Sequence, residues 1–394
     1  MQNNSFSDVD MPSLAPNAAH FPYTQAIRFT GSGSEYFRIW IVNLLLTVIT
    51  LSLYLPWAKV RRLKYFHGNT LLGDEPLGYH ANPRKMLRGY LLVGLLFVLY
   101  SVAGHFSPVA GLIALLIVVA VSPVLFRASL QFRMANTSWR GLRLRFTGSL
   151  GQAYMLVVPA LVTVVFGFGL AMLGAREQQQ QPPSNWLLLL MIPALLLQFG
   201  VGAWWLWRTK KYQHDHYALG TLQTQFTARL RQFAGLLLRC VGVALLLVVV
   251  PIGLVIAAAA SGWVPTLDKR LQPLLIGMTP FLVMLVIFAV LKPYFTTRLQ
   301  NLTWNHTGNS ALQFHSNLRF RSMLALTLKN WLLIVLTLGL YWPFAAVAMA
   351  RMRLQTVSLS TQDAPETLAN SLRATHNEAA GDAAADLFGL DVGL

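Results

Sequence analysis

Several runs of at least 17 residues in this chain contain no charged side chain, and this constrains the fold more than any other feature. As a helix rising 1.5 Å per residue, each run is long enough to cross a hydrocarbon layer of about 30 Å. The runs are continuous rather than alternating, so helices are expected and a membrane β-barrel is not. Composition agrees: 55% of residues are hydrophobic and 11% charged, against about 25% charged in a soluble domain.

The net charge of +17 raises the question of nucleic acid, and the positions of the charges answer it. Segments 58–88, 127–151, 208–232 and 292–322 hold 21 of the 31 Lys and Arg. The intervening connections 105–107, 174–184 and 260–270 hold only Arg176, Lys269 and Arg270. Such asymmetry follows the positive-inside rule, so the basic segments are expected to be cytoplasmic and no nucleic acid is implied. Cys240, the single cysteine, reads as a buried inert thiol. The polar first 35 residues lack the pattern of a signal peptide.

The apolar runs give candidate membrane segments at 37–57, 89–104, 108–126, 152–174, 185–207, 233–259, 271–291 and 323–350. The linker Gln178–Pro183 reads as an exposed loop. The run Asn43–Ala58 aligns without gaps with Asn330–Ala345, sharing the Asn, a Tyr (Tyr54, Tyr341) and a Pro (Pro56, Pro343). The basic segments echo one another more loosely: a cationic aromatic stretch, a polar group, then a short alternating run such as Leu142–Phe146. Alternation of that kind reads as a small β-hairpin. A third echo is Arg28-Phe-Thr-Gly-Ser32 and Arg145-Phe-Thr-Gly-Ser149.

If equal motifs lie on one face, run 37–57 must enter and return, with Pro56 and Pro343 as the helix breaks. Six full spans flanked by two bent terminal elements are therefore favoured over eight plain spans, with both termini cytoplasmic. The expected fold is an all-α polytopic membrane protein, a helical bundle with internal repeats and small β-hairpin-like cytoplasmic segments. Its parts are a polar segment 1–27, a membrane domain 28–360 and an acidic flexible tail 361–394, which reads as solvated.

Phe29-Thr-Gly-Ser32, Glu35-Tyr-Phe37, Tyr54-Leu-Pro-Trp-Ala-Lys59 and Arg61-Arg-Leu-Lys-Tyr-Phe66 together resemble the YjgN family of bacterial inner-membrane proteins. That resemblance runs from about residue 25 to the end and implies a bacterial cytoplasmic-membrane location. It implies no activity, and carries over no functional residue.

From the residues themselves, Asn43, Asn330 and Gln198 are polar groups inside apolar runs. They are expected to pair helices or to line a solute path. Lys59, Arg61, Arg62, Lys64, Lys210 and Lys211, interleaved with aromatics, suit anionic headgroups. On a strand, His214 and His216 would share a face with Asp215 opposite; ordinary interfacial histidines are the preferred reading, and no metal, cofactor or catalytic residue is assigned. None of the 14 Asp and Glu lies deep in an apolar run, which disfavours a carboxylate-driven pump, and no common catalytic motif is present. The expectation is a non-enzymatic membrane protein that handles a small anionic or amphipathic solute or lipid in a transporter-like way. The alternative is a non-transporting scaffold that recruits a cytoplasmic partner through its basic hairpins and tail. Membrane lipids are the expected partners, with a homo-oligomer or a cytoplasmic protein as further candidates.

Overall fold

Every basic segment folds into strands. Thr70–Leu72 (β2) pairs with Glu75–Tyr79 (β3), and Thr137–Trp139 (β4) with Leu142–Phe146 (β5). Tyr217–Leu219 (β6) pairs with Leu222–Gln223 (β7), and Thr307–Gly308 (β9) with Leu312–Ser316 (β10). The remaining strands are Tyr23–Phe29 (β1), Gln225–Phe226 (β8) and Val357–Thr361 (β11). This computed structural model describes residues 21–159, 161–163, 166–167, 169, 186–261, 272–364 and 366–373. The linker 178–183 lies outside them, as do 374–394.

The expected all-α bundle with small separate hairpins is thereby corrected. All the strands join one eleven-stranded antiparallel sheet, in the order β7-β6-β5-β4-β3-β2-β1-β11-β10-β9-β8. Its end strands, β7 and β8, are separated in the chain only by Thr224, so the sheet curls into a ring that the backbone itself closes. Thr224 is pinned there: its N–H donates to the Tyr217 carbonyl at 2.8 Å and its Oγ1 to the His214 carbonyl at 2.5 Å. Strands of two to seven residues are marginal alone. Their stability comes from pairing across distant segments, which local alternation does not reveal.

Between strands run the helices Gly33–Ile49 (α1), Leu55–Gly68 (α2), Pro83–Phe106 (α3), Pro108–Ala135 (α4) and Leu150–Tyr154 (α5). Trp186–His214 (α6), Leu230–Ala260 (α7), Gln272–Trp304 (α8), Phe320–Leu336 (α9) and Trp342–Gln355 (α10) follow. Among the described residues, four stretches are long and apolar enough to cross a membrane: Pro83–Phe106, Val109–Ala135, Leu230–Ala258 and Gly277–Trp304.

The strand register fixes where the helices go. Phe29 faces Thr70, Tyr79 faces Thr137, Phe146 faces Tyr217, Phe226 faces Thr307 and Ser316 faces Val357. Each pair joins a strand about to enter a helix to a strand that has just left one, so all the helices attach to one rim of the ring. The joints are built alike. The N–H groups of Thr30, His80, Thr147, Thr227 and Asn317 donate to the carbonyls of Asn69, Asn136, His216, His306 and Thr356. The side chains of those five acceptors in turn bond the carbonyl four residues back, which caps each incoming helix. Tyr23 and Thr361 face each other on the opposite, turn-bearing rim.

Runs 37–57 and 323–350 do reverse, each ahead of its proline. The chain turns at 50–54 and 337–341, where Leu51, Ser52, Leu338 and Gly339 take positive φ. Thr50 and Thr337 staple the two turns alike: each Oγ1 donates to the carbonyl four residues earlier and accepts the N–H of Tyr54 or Tyr341. Leu51 is 88% exposed and Leu338 95%, which suits a tip immersed in lipid, where loose backbone groups must find partners within the turn. Pro56 and Pro343 sit in the first turn of α2 and α10, where a missing N–H costs nothing.

The third sequence echo has a packing cause. Tyr65 Oη donates to the Ser32 carbonyl at 2.8 Å and Tyr212 Oη to that of Ser149 at 3.1 Å. In each joint the tyrosine and a strand-end phenylalanine close over the glycine. A Cβ on Gly148 would lie 2.6 Å from the Phe146 ring and 2.8 Å from that of Tyr212. Gly148→Ala should therefore cost about 1–3 kcal/mol, read as a lowered melting temperature in detergent. Gly151→Ala, whose added carbon would meet nothing within 4 Å, should be neutral or mildly stabilising.

Candidate functional site

Between α2, α3, α8, α9 and α10 lies a cavity of about 650 Å³. Its lining is apolar along Met323, Ile334, Ala345, Ala346 and Met349, aromatic at Phe66, Trp331 and Trp342, and cationic at Lys59, Arg62, Lys292 and Arg353. Among the described residues, no Asp or Glu lines it. Lys59, Asn330 and Lys292 sit 9, 10 and 12 residues from the ring-side ends of α2, α9 and α8, or about 14 to 18 Å along their helices. They therefore occupy one level, at the boundary between the cationic and the fully apolar parts of the bundle.

The cations are held by aromatics and neutral groups. Lys59 Nζ donates to Tyr90 Oη at 3.3 Å and lies 5.4 Å from that ring's centroid. The Arg62 guanidinium lies 5.4 Å from the Trp342 ring and 5.7 Å from that of Phe66, contacts worth about 0.5–1 kcal/mol at an exposed site and more when desolvated. Arg353 Nε donates to Gln300 Oε1 at 2.8 Å, and Gln300 Nε2 returns a bond to the Arg353 carbonyl at 2.9 Å. Four positive charges sharing one apolar hollow repel one another, and an anion would relieve that repulsion.

The buried amides differ. Asn43 Nδ2 donates to the Ala58 carbonyl at 3.4 Å, tying α1 to α2, while its Oδ1 has no partner. Asn330, 3% exposed, lines the cavity with neither Nδ2 nor Oδ1 bonded. A buried amide left unbonded costs about 1–3 kcal/mol.

The other sequence-derived positions scatter. Gln198 is exposed on α6 and does not line the cavity. Arg61 stacks over Tyr54 at 5.7 Å, Lys64 is exposed, Lys210 Nζ donates to Gln213 Oε1 at 3.2 Å and Lys211 pairs with Asp215 at 3.2 Å. His214 closes α6, bonded to Thr307 Oγ1 at 2.9 Å, while Asp215 Oδ1 accepts the Phe226 N–H at 2.6 Å. His216 Nδ1 bonds the Tyr212 carbonyl at 2.9 Å, so His214, Asp215 and His216 are not on one strand and, among the described residues, form no metal-type cluster. Of the six headgroup candidates only Lys59 and Arg62 reach the cavity. Lys292, Arg353 and the rings of Tyr90, Trp331 and Trp342 come from segments that only the closed ring brings together. Above the cavity level, burial raises the hydroxyls of Tyr79 and Tyr217, the latter to about 12, although Arg133 pulls both the other way.

Residues 24–387 match a family described as bacterial protein of unknown function, DUF898. The chain belongs to that family. The chain is similar to the inner membrane protein YjgN of Salmonella typhimurium, 33% identical over 145 residues, which is 36% of this chain and 37% of that one. The YjgN proteins of Escherichia coli O157:H7 and of strain K12 are each 26% identical over 142 residues, 36% of each chain. These alignments thus span little more than a third of the curated relatives' length. No solved structure matches the chain. Membership agrees with the apolar helices: this is a bacterial membrane protein, and the named relatives are inner membrane proteins.

Because Asn330 has no partner, Asn330→Leu should raise the stability of the purified protein by about 1 kcal/mol, measured as a higher melting temperature in detergent. A drop would mean that the amide already has a structural partner.

Proposed function

We propose that this protein sits in the bacterial inner membrane with its β-ring in the cytoplasm. There the cavity captures an anionic amphipath, a phospholipid or similar molecule from the cytoplasmic leaflet, and hands it on. The observation that carries the reading is the orphaned Asn330 amide, set in an apolar hollow beside Lys59, Arg62, Lys292 and Arg353. Cations at one level offer charge-assisted bonds to a phosphate or carboxylate, Asn330 offers both a donor and an acceptor, and Trp331, Ile334, Trp342 and Met349 suit an acyl chain. A headgroup drawn from the adjacent leaflet would need little desolvation, because Lys59 and Lys292 are themselves exposed.

The ring's orientation rests on charge. The segments that hold 21 of the 31 Lys and Arg form the ring and the helix ends nearest it, which is the side that the positive-inside rule keeps in the cytoplasm. The helical hairpins α1–α2 and α9–α10, with their matching turns, are read as a repeated element flanking the capture site, like the broken helices that frame transporter sites. A binding and transfer role is favoured over catalysis. The scaffold alternative has less behind it, because helix 366–373 is engaged with the ring itself through Leu368, Ala369 and Leu372.

Lipid carried through purification tests the capture. Phosphatidylglycerol should be retained over phosphatidylcholine by the parent protein and released by an Arg62→Gln/Lys292→Gln double variant of unchanged melting temperature. Equal retention by both proteins would end the proposal. Orientation is tested separately, with Asp74→Cys in a Cys240→Ser background. An impermeant thiol reagent should label it in inside-out vesicles but not in intact spheroplasts, and the reverse pattern would place the ring outside.

A further inference from the structure

A second hollow lies at the other end of the ring. Between the faces of β3, β4 and β5 and the helix 366–373 is a polar cleft of about 650 Å³. Its charged and polar groups are Glu75, His80, Ser138, Arg140, Arg143, Asn370 and Arg373, three guanidiniums against one carboxylate. Arg140 is at the turn of the second hairpin with φ 49°. Its Nε is buried without a hydrogen-bond partner, while its guanidinium plane lies 5.4 Å from the Trp139 ring centroid. Arg143 is an exposed residue of β5, one strand position past Leu142. Arg373 comes from the short helix and donates through Nη2 to the Arg140 carbonyl. His80 Nε2 and Ser138 Oγ are 2.8 Å apart, adding polar groups beside the three arginines.

We propose that this cleft binds a soluble anion carrying at least two negative charges on phosphate, such as a pyrophosphate or nucleotide, and that the anion fastens helix 366–373 to the ring. Planar guanidiniums drawn from a turn, a strand and a separate helix suit the several oxygens of such a group, each taking a charge-assisted pair of bonds. Arg140 Nε, buried without a partner, is a donor that the fold itself leaves unused. The hollow is larger than one phosphate needs and falls in the range of small-molecule sites. Glu75, at the cleft's edge, repels an anion that overfills it.

Position selects the source. The cleft runs along β3 from His80, at a helix-bearing joint, to Glu75 and Arg140 by the hairpin turns, and its arginines Arg140 and Arg143 lie at the turn end, away from the rim to which every transmembrane helix attaches. The helix is docked by its apolar side, with Leu368, Ala369 and Leu372 packed against Trp139 and Leu142. A ligand that links Arg373 to Arg140 and Arg143 adds to that docking.

The probe is inorganic pyrophosphate, titrated against the full-length protein in detergent at constant ionic strength with chloride. The readouts are backbone hydrogen exchange over 366–373 and direct binding. Saturable slowing of exchange in that segment is expected. In Arg143→Gln, which removes a guanidinium without touching the helix, the dissociation constant should rise at least about tenfold. Arg373→Gln should lose both binding and protection, whereas Arg84→Gln, an exposed arginine outside the cleft, should match the parent. The proposal is overturned if pyrophosphate causes no saturable change, if Arg143→Gln binds as the parent does, or if phosphatidylglycerol in the micelle alone protects the segment.

Discussion

Closure of the sheet is the constraint from which the architecture follows. An open sheet of two- to seven-residue strands would be marginal and would offer two unpaired edges to any passing chain. Here β7 and β8 are one bent stretch of backbone around Thr224, and β1 and β11 bring the two ends of the chain into the same ladder. Removing any strand other than β7 or β8, which pair on one side only, would expose two new edges, so the ring is held by pairing between residues as far apart as Thr24 and Ser360, whose hydroxyls are also 3.0 Å apart. Because neighbouring strands are antiparallel and the ring is completed through Thr224, α1 to α10 all attach to one rim, where the chain leaves and re-enters each time, whereas helix 366–373 follows β11 on the other.

Within lipid the governing demand changes from packing to hydrogen bonding. The helical hairpin α3–α4 satisfies its backbone internally, and Ser107 closes its tip by accepting the Ala110 N–H at 3.1 Å. The shorter hairpins α1–α2 and α9–α10 have wider turns with residues in the left-handed region, which costs leucine of order 1 kcal/mol. Thr50 and Thr337 compensate by supplying a donor and an acceptor where the helical ladder breaks. Leucine at an exposed tip would be a liability in water and is a natural choice in a bilayer.

How much of this was legible in the sequence depends on the range of the interaction. The apolar runs announce helices because length and lack of charge are local properties, and the α3–α4 reversal at Ser107 follows from three intervening residues. Hairpin-like character in the basic segments was visible in alternations such as Leu142–Phe146. Ring closure was not, because β1 and β11 are separated by more than three hundred residues and β7, β8 and β9 are two residues each. The reversal was placed at Pro56 and Pro343, whereas the turns are made by Thr50–Ser52 and Thr337–Gly339. Proline marks the start of the returning helix because φ near −65° suits its first turn. Of the cavity, Lys59, Arg62 and Asn330 could be singled out as polar or cationic groups in apolar surroundings. Lys292 and Arg353 join them only through folding.

The two hollows differ in what surrounds them, and that difference follows from the ring. On the helix-bearing rim, exposed cations border a hollow lined by Trp331, Trp342 and aliphatic side chains, a pairing of charge and apolar surface that suits an amphipathic anion. Toward the turn-bearing rim, Arg140, Arg143 and Arg373 meet water and a mobile anion can exchange freely. A closed sheet separates the environments by only a strand's length, about 10 to 17 Å for three to five residues. Arg353 lies in the last turn of α10, four residues before β11 begins at Val357, so the cation at the top of the first hollow is covalently close to the strand that completes the ring. Through that strand the chain continues into helix 366–373, and docking of this helix and the placement of Arg353 thus share one short stretch of backbone.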